Sequence, residues 1–224
     1  MSEELAAAVR NLFGPGVAVA AADPRAPATG LLPEETAPTG TMVEKRRREF
    51  AAGRRAVRAA LAELGLPQAA ILMGSDRAPV WPEGVVGSIS HTDTHCLAAV
   101  SRTGGTRTLG LDIEPDLPLE PELWPEICTR AELDWLDARP APERSQLARL
   151  IFSAKECAYK AQYPLTGMML DFDAFEIAFD LQAGAFAATA REPIPPICAG
   201  HRLAGRFTRV ADALVTSIRV AGPV

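Results

Sequence analysis

The alternation of apolar and polar residues is strictest in one short segment near the middle of the chain, residues 109–114. Three branched apolar residues alternate there with Gly110, Asp112 and Glu114, which predicts a strand with one buried face. The two carboxylates then lie on the opposite face, about 7 Å apart along the strand, with room beside them at Gly110. Neighbouring acids repel each other, and a hard cation such as Mg²⁺, bringing a phosphate with it, would relieve that repulsion. The alternative is a strand end at which both acids face water.

Apolar residues at helical spacing predict two long helices, one in each half of the chain. Glycine follows the first long helix at Gly65, and Pro164 is expected to end the second. A shorter helix is predicted to start at Thr129, because Thr129 and Glu132 have the spacing of a capping box. The helices are expected at residues 2–13, 43–64, 129–136 and 143–163.

Short apolar runs bounded by turn residues predict most of the remaining elements to be strands. They are expected at residues 17–21, 71–73, 85–90, 96–101, 175–179, 185–188, 203–208 and 214–220. Each half then combines a long helix with several strands, and Gly104-Gly105 lies near the middle. The sequence therefore predicts an α+β protein with two similar halves, residues 1–105 and 106–224, and an active site at their interface.

The composition is typical of a globular protein but does not indicate a particular function. The chain has 224 residues, of which 48% are apolar and 23% charged, as expected for a globular protein with a real core. A net charge of −5 gives no general reason to expect a nucleic-acid partner. No apolar run is long enough to span a bilayer, and the acidic N-terminus lacks the layout of a signal peptide. The four cysteines are widely scattered, which is typical of reduced thiols and predicts a cytoplasmic protein.

The first long helix is basic although the protein as a whole is acidic. It carries six arginines and one lysine, and Arg46, Arg47 and Arg54 fall at spacings that could share one face. Guanidinium groups match phosphate oxygens in bidentate geometry, so the helix could bind phosphate. The alternative is a solvated face with ion pairs to Glu44 and Glu49.

Two further groups of residues carry possible chemistry. Glu156 and Lys160 are four residues apart and adjoin on the second long helix, where an ordinary surface ion pair is the simpler interpretation. Ser90 and His91 end a predicted strand, and both can donate hydrogen bonds to a phosphate. A zinc site built on His91, His95 and Cys96 is not favoured, because no fourth ligand has suitable spacing.

Taken in order, these motifs resemble those of the 4'-phosphopantetheinyl transferases. Within that family they are most similar to the large, pseudo-dimeric Sfp type, which includes enterobactin synthetase component D-like enzymes. The three central motifs are Val-Gly-Ser-Ile-Ser-His (86–91), Gly-Leu-Asp-Ile-Glu (110–114) and Phe-Ser-Ala-Lys-Glu-Cys-Ala-Tyr-Lys (152–160). Three more are Arg-Arg-Arg-Glu-Phe-x-x-Gly-Arg (46–54), Gly-Ser-Asp-Arg-Ala-Pro-x-Trp-Pro (74–82) and Tyr-Pro-Leu-Thr-Gly (163–167). The resemblance runs from about residue 30 to 180. One departure is Cys157, where the family usually has serine or alanine.

The resemblance implies transfer of the phosphopantetheine arm of coenzyme A to a serine of an acyl or peptidyl carrier protein, with release of 3',5'-ADP. It implies Mg²⁺ bound by Asp112, Glu114 and Glu156, with Glu156 also acting as the base and Lys160 orienting the scissile group. The coenzyme A phosphates are expected at the following residues: Arg46 (with Arg47 as its alternate), Arg54, Arg77, Ser90, His91 and Lys155. Carrier contacts are expected between the acidic strand and the catalytic helix, with these candidates: Leu117, Leu119, Leu123 and Trp124.

The same resemblance implies a monomer, because one chain supplies both halves, and a role in polyketide, nonribosomal peptide or siderophore synthesis. Two other functions stay open at this point. One is a protein that binds coenzyme A or a carrier without turnover, which would not need a base. The other is a different Mg²⁺-dependent phosphotransferase, which would need a phosphate-binding loop that the sequence lacks.

Overall fold

The computed structural model describes residues 2–222. Its internal contacts divide the chain into two units. The first consists of Met1–Leu109 with Ala221–Val224, and the second of Gly110–Val220. The division falls within the strand that carries the two acids. Each unit has its own helices, sheet and core.

The first unit contains a three-stranded antiparallel sheet in the order β1-β5-β4, with β5 in the middle. A separate two-stranded hairpin, β2-β3, follows the long helix α2. The elements are α1 (Ser2–Phe13), β1 (Val17–Ala22), α2 (Glu44–Glu63), β2 (Leu72–Met73), β3 (Pro79–Val80), β4 (Val85–His91) and β5 (Cys96–Arg102).

Helix α2 covers the sheet of the first unit with the apolar face that its sequence predicts. Val57 and Leu61 are fully or almost fully buried and belong to one core cluster with Ala98 and Val100 of β5. Burying these side chains stabilises the unit by about 1.5–3 kcal/mol for each large aliphatic residue. This packing fixes α2 beside β4, the strand that ends at His91.

The loop of residues 23–42 is held against α2 by the arginines of that helix. Arg55 donates to the carbonyls of Asp23, Pro27 and Thr29 at 3.1–3.2 Å. Arg58 pairs with the buried Glu35 at 2.9 Å. These arginines therefore satisfy backbone and carboxylate groups of the loop, a use that neither interpretation of the basic helix foresees.

The second unit is built on a five-stranded sheet in the order β6-β10-β9-β8-β7. Strand β6 begins in the first unit and continues into the second, and helix α5 is the longest element of the chain. The elements are β6 (Thr106–Pro115), α3 (Trp124–Ile127), α4 (Arg130–Asp137), α5 (Ala141–Thr166), β7 (Phe175–Asp180), β8 (Ala185–Ala190), β9 (Arg202–Val210) and β10 (Ala213–Ala221).

Small residues let α5 approach β6 closely. Ala154, Ala158 and Ala161 of α5 are fully buried. A methyl group at Gly110 would overlap the backbone carbonyl oxygen of Cys157, so the helix backbone lies directly on the strand at that point. The room that the sequence predicts beside Gly110 is therefore filled by α5.

The α+β class is confirmed, and the pseudo-twofold relation of the halves stays a prediction. Two local predictions are wrong. Pro164 lies inside α5, which continues until Gly167 adopts a left-handed conformation. Strand β6 is buried on both faces, since Asp112 is 2% exposed. Among the described residues, no helix is long and apolar enough to cross a membrane.

Candidate active site

Asp112 is the buried acid around which the charged groups of the second unit are arranged. Its carboxylate accepts a hydrogen bond from Lys160 Nζ to Oδ1 at 2.6 Å and one from Ser153 Oγ to Oδ2 at 2.8 Å. Both donors lie on α5, seven residues apart, so the helix holds the two oxygens of one carboxylate. A buried carboxylate is stable as a charge only with such partners.

Lys160 is charged in this environment. Burial alone would lower its pKa, but the charge of Asp112 and their hydrogen bond overcome that effect and raise the pKa of Lys160 above its ordinary value. Its side chain is 25% exposed, so the ammonium group lies at the edge of the buried cluster. Lys160 therefore pairs with the buried Asp112, and the simpler interpretation from the sequence, a surface ion pair with Glu156, does not describe its environment.

Glu114, two residues along β6, has a different partner. Arg149 donates to its Oε2 at 3.0 Å and also donates to the carbonyls of Leu117 and Pro118. Burial, followed by the negative charge of Asp112, raises the pKa of Glu114 to about 7, although Arg149 acts in the opposite direction. Arg149 therefore joins Glu114 to the segment that follows β6.

Glu156 lies on α5 beside a cleft of about 250 Å³ in the second unit. Burial is the largest effect and raises the pKa of Glu156 above its ordinary value. The positive charge of Lys160 acts in the opposite direction, and the negative charge of Asp112 adds to the rise. A carboxylate with a raised pKa is a stronger base than an exposed glutamate. The rest of the cleft is mainly apolar and is lined by Lys155, Tyr159, Met169, Leu170, Asp171, Phe172 and Phe175.

These acids fit a hard cation by their donor chemistry. The charge of Asp112 raises the pKa of both Glu114 and Glu156, so the three carboxylates interact and would gain from a positive ion. Within residues 2–222, no group of three or more His, Cys, Asp or Glu could hold a metal ion by itself. Mg²⁺ typically needs only one or two protein carboxylates, because substrate phosphates and water complete its shell.

Lys155 precedes Glu156 but faces another environment. It is 3% exposed, and its Nζ donates to Glu132 at 2.8 Å and to the carbonyls of Ile127 and Phe172 at 2.7 and 2.8 Å. Glu132 also accepts from the backbone N–H groups of Thr129 and Ile177 at 2.7 Å each. The predicted capping box of α4 is thus confirmed, and its glutamate also forms a buried ion pair with Lys155.

The first unit brings together two of the predicted phosphate-binding residues, Arg46 and His91. The Arg46 guanidinium donates to His91 Nε2 at 2.9 Å, so the neutral ring carries its proton on Nδ1. Glu49 lies 3.3 Å from Arg46 and 3.8 Å from the same ring nitrogen. This cluster joins one guanidinium and one carboxylate of α2 to the imidazole at the end of β4. Ser90, next to His91, is buried.

The other two predicted arginines are placed differently. Arg54 is buried, stacks on the Phe50 ring at 3.6 Å and donates to the Ile71 carbonyl at 3.0 Å. Burial lowers the pKa of Arg54 to about 10, against the opposing charge of Glu35, so it remains charged at neutral pH. Arg77 is exposed in the β2–β3 turn and has a left-handed backbone with φ 69°. Arg47 pairs with Glu44 at 3.3 Å.

Both units match models of known protein families. Residues 34–101 match the family model described as the 4'-phosphopantetheinyl transferase N-terminal domain, and residues 108–207 match that of the 4'-phosphopantetheinyl transferase superfamily. The chain is 44% identical over 206 residues to the 4'-phosphopantetheinyl transferase Svp of Streptomyces mobaraensis, covering 89% of this chain and 82% of that protein. The chain belongs to the 4'-phosphopantetheinyl transferase superfamily. The resemblance drawn from the motifs is thereby confirmed.

Two further relatives in the superfamily match over shorter lengths. The 4'-phosphopantetheinyl transferase Npt of Nocardia iowensis is 42% identical over 143 residues, which cover 64% of each chain. The enterobactin synthase component D of Salmonella typhimurium is 42% identical over 119 residues, covering 52% of this chain and 48% of that protein. The chain therefore spans less than two thirds of the length of these two relatives.

The structure adds four residues that the motifs of this transferase superfamily did not single out for a role. Ser153, Thr216, Arg149 and Glu132 each contact a predicted site residue directly or through one hydroxyl. Ser153 and Arg149 were detectable in principle, because their spacing in the sequence places them on the same face of α5 as Glu156 and Lys160. Thr216 lies in a strand, and its sequence neighbourhood gives no signal of its partner on α5.

Proposed function

We propose that this protein transfers the 4'-phosphopantetheine arm of coenzyme A to a serine of an apo acyl or peptidyl carrier protein, releasing 3',5'-ADP in a Mg²⁺-dependent reaction. One observation carries the proposal: the second unit pairs the buried Asp112 with Lys160 at 2.6 Å, places Glu114 and Glu156 near enough to feel the charge of Asp112, and has Glu156 line a mainly apolar cleft. This combination suits a cation, a phosphate and an uncharged pantetheine arm.

In the proposed reaction, Glu156 accepts the proton of the carrier serine hydroxyl, directly or through one water. The serine oxygen forms a bond to the phosphorus that carries the pantetheine arm. The phosphoanhydride bond breaks, and 3',5'-ADP leaves with the bonding electrons. The raised pKa of Glu156 supports its role as a base, because a weaker acid has a more basic conjugate carboxylate. Lys160 holds positive charge where negative charge grows on the leaving phosphate.

Asp112, Glu114 and Glu156 form no ready-made three-ligand site among the described residues, so one or two of these carboxylates would hold the Mg²⁺ ion together with substrate phosphates and water. When bound, the ion neutralises their mutual repulsion and stabilises negative charge on the pyrophosphate. Asp112 is fixed by Lys160 and Ser153, and Glu114 is oriented by Arg149. These contacts keep hard oxygen donors on β6 in defined positions before the substrate arrives.

The coenzyme A phosphates are assigned to residues of the first unit. Arg46 and His91 are supported as a pair by their 2.9 Å contact, and Ser90 and Arg77 are retained as ligands of the pyrophosphate and the 3'-phosphate. Arg54 acts through its charge and through its hydrogen bond to the carbonyl of Ile71, the residue before β2. Lys155 would reach a phosphate only by leaving its buried pair with Glu132, so its role in binding is the least supported.

The acceptor is proposed to be a carrier protein of polyketide, nonribosomal peptide or siderophore synthesis. Leu117 and Leu123 are 61% and 40% exposed and fit an apolar contact with it. Leu119 is 2% exposed and is not available for docking. The expectations of a cytoplasmic, monomeric enzyme and of a site at the interface of the halves stay predictions.

Mass spectrometry of an apo carrier after incubation with coenzyme A, Mg²⁺ and this protein tests the proposal. The carrier should gain the mass of one phosphopantetheine, and chelation of Mg²⁺ should prevent the gain. Asp112→Ala, Glu156→Ala and Lys160→Ala should each lower the rate by at least about 100-fold, since each removes charge stabilisation or proton transfer.

The matched control is Glu143→Ala, which removes an exposed glutamate from the first turn of the same helix and should leave the rate unchanged. Failure to modify any of several apo carriers would contradict the proposed function. Tight binding of coenzyme A without product would favour a binding protein instead.

A further inference from the structure

A chain of buried hydroxyl groups connects β10 to the carboxylate of Asp112. Ser153 Oγ donates to Asp112 Oδ2 at 2.8 Å, and Thr216 Oγ1 lies 2.9 Å from Ser153 Oγ. Thr216 also donates to the backbone carbonyl of Ser153 at 3.0 Å. Ser153 and Thr216 have no exposed surface, so water does not substitute for these contacts.

The direction of the hydrogen bonds follows from the chemistry of the groups. An ionised carboxylate only accepts, so Ser153 must give its single proton to Asp112. Thr216 gives its proton to α5, and its contact with Ser153 holds the serine oxygen in place. Lys160 contacts the other oxygen of Asp112. The carboxylate is therefore held at both oxygens, and rotation of its plane is blocked.

We propose that Ser153, supported by Thr216, is a positioning residue that fixes the carboxylate plane of Asp112 for binding the divalent cation. The inference rests on the proposed function, in which Asp112 is a metal ligand. Hydrogen bonds to a ligating carboxylate orient it, and their loss typically costs 10- to 100-fold in metal affinity. Ser153 acts only through Asp112 and is not assigned a contact with substrate.

Ser153→Ala removes the donor with little change in volume. Mn²⁺ serves as the probe, because its binding in the presence of coenzyme A can be followed by electron paramagnetic resonance without turnover. We expect the dissociation constant for Mn²⁺ to rise 10- to 100-fold. Thr216→Val keeps the shape of the side chain and should raise the constant by a smaller factor, since Thr216 reaches Asp112 only through Ser153.

Kinetics give a second readout that lost stability would not mimic. In Ser153→Ala, the Mg²⁺ concentration for half-maximal transfer should rise by the same 10- to 100-fold factor. The turnover number at saturating Mg²⁺ should stay within about threefold of the original value, because the reacting groups are intact.

The matched control is Ser101→Ala in the first unit. Ser101 is also a buried serine, and it donates to the hydroxyl of Thr106 at 3.0 Å. Its replacement should leave Mn²⁺ binding unchanged, whatever it does to thermal stability. A fall in Mn²⁺ affinity equal to that of Ser153→Ala would overturn the positioning role and indicate a general effect of losing a buried hydroxyl.

Asp112→Asn separates the inference from the function on which it rests. Loss of Mn²⁺ binding in Asp112→Asn with unchanged binding in Ser153→Ala overturns the positioning role and leaves the proposed function intact. Unchanged binding in Asp112→Asn overturns the metal assignment itself and this inference with it. Loss in both variants, with an intermediate effect of Thr216→Val, supports the inference.

Discussion

The two lysines of the 152–160 motif on α5 lie five residues apart but have different environments. Lys155 is enclosed, with one carboxylate and two carbonyls as acceptors. Lys160 is partly exposed and neutralises Asp112. An ammonium group with all three donors used inside the protein stabilises the fold, whereas one that is partly exposed can also meet a substrate. The same residue type in one motif thus has two physical roles.

Lys155→Met should therefore lower the stability of the fold and leave the affinity for coenzyme A nearly unchanged. The substitution leaves Glu132 charged and buried without its ammonium partner, which typically costs 3–5 kcal/mol. Urea denaturation should show a decrease of about that size in the free energy of unfolding. Isothermal titration under native conditions should show coenzyme A affinity close to that of the unmodified protein.

Lys45→Met is the control for this change. Lys45 forms an ion pair with Asp93, but the two side chains are 60% and 78% exposed, so its replacement should leave the free energy of unfolding nearly unchanged. Unchanged stability of Lys155→Met together with loss of coenzyme A affinity would contradict the structural role and favour direct phosphate binding.

At the scale of elements, the contact between α5 and β6 depends on the absence of a side chain at Gly110. A methyl group there would overlap the carbonyl oxygen of Cys157, a backbone atom that cannot move without moving the helix. Gly110→Ala should therefore lower the free energy of unfolding by about 1–3 kcal/mol or more. It should also lower transfer activity, because the same two elements carry Asp112 and Glu156.

Gly104→Ala provides the comparison for Gly110→Ala, since a methyl group at Gly104 has nothing within 4 Å. Its free energy of unfolding should change by no more than about 0.5 kcal/mol. Equal stability of the two alanine variants in urea denaturation would show that α5 and β6 are not as close as the structure places them.

A buried ion pair between Arg58 and Glu35 joins the loop of residues 23–42 to α2. Glu35 accepts from Arg58 and from the backbone N–H groups of Leu32 and Ile71, so one carboxylate joins the loop, α2 and the segment before β2. Arg58→Met should leave that carboxylate without a cation and open the loop. Limited digestion with proteinase K should cut within residues 23–42 faster, by about tenfold or more.

Arg130→Met is a suitable control for the digestion experiment. Arg130 pairs with Asp134, but its side chain is 86% exposed, so its loss should not change the rate or position of cleavage. Cleavage of Arg58→Met at new positions outside the loop would argue that the pair stabilises the whole first unit instead.

Most elements were predictable because periodicity records which face of a segment is buried, whereas the burial of Asp112 on β6 was not. The apolar faces of α2 and α5 and the alternation along β6 each led to a correct element. Pro164 was misjudged because its missing N–H removes one backbone bond, and the helix continues for only two residues after it. Partners such as Ser153 and Thr216 or Lys155 and Glu132 could not be predicted, since they are distant in sequence and their contact depends on tertiary packing.

The reactivity of the four cysteine thiols can be used to test how closely both units are packed. All four cysteines are free, and Cys96, Cys128 and Cys157 are buried whereas Cys198 is exposed. Burial raises the pKa of Cys96 and of Cys128 to about 12, and it raises that of Cys157 further. At pH 7.5 the reactive thiolate is therefore roughly one part in 10⁴–10⁵ at Cys96 and Cys128, and less at Cys157.

Iodoacetamide at pH 7.5 should accordingly add one alkyl group to the folded protein, at Cys198, and four groups in guanidinium chloride. Peptide mapping by mass spectrometry identifies the positions. Cys96 belongs to the first unit and Cys128 and Cys157 to the second, so the order in which they become reactive with rising denaturant reports the unfolding of each unit. Rapid labelling of Cys157 in the native protein would contradict the close packing of α5 on β6, on which the placement of Asp112 and Glu156 depends.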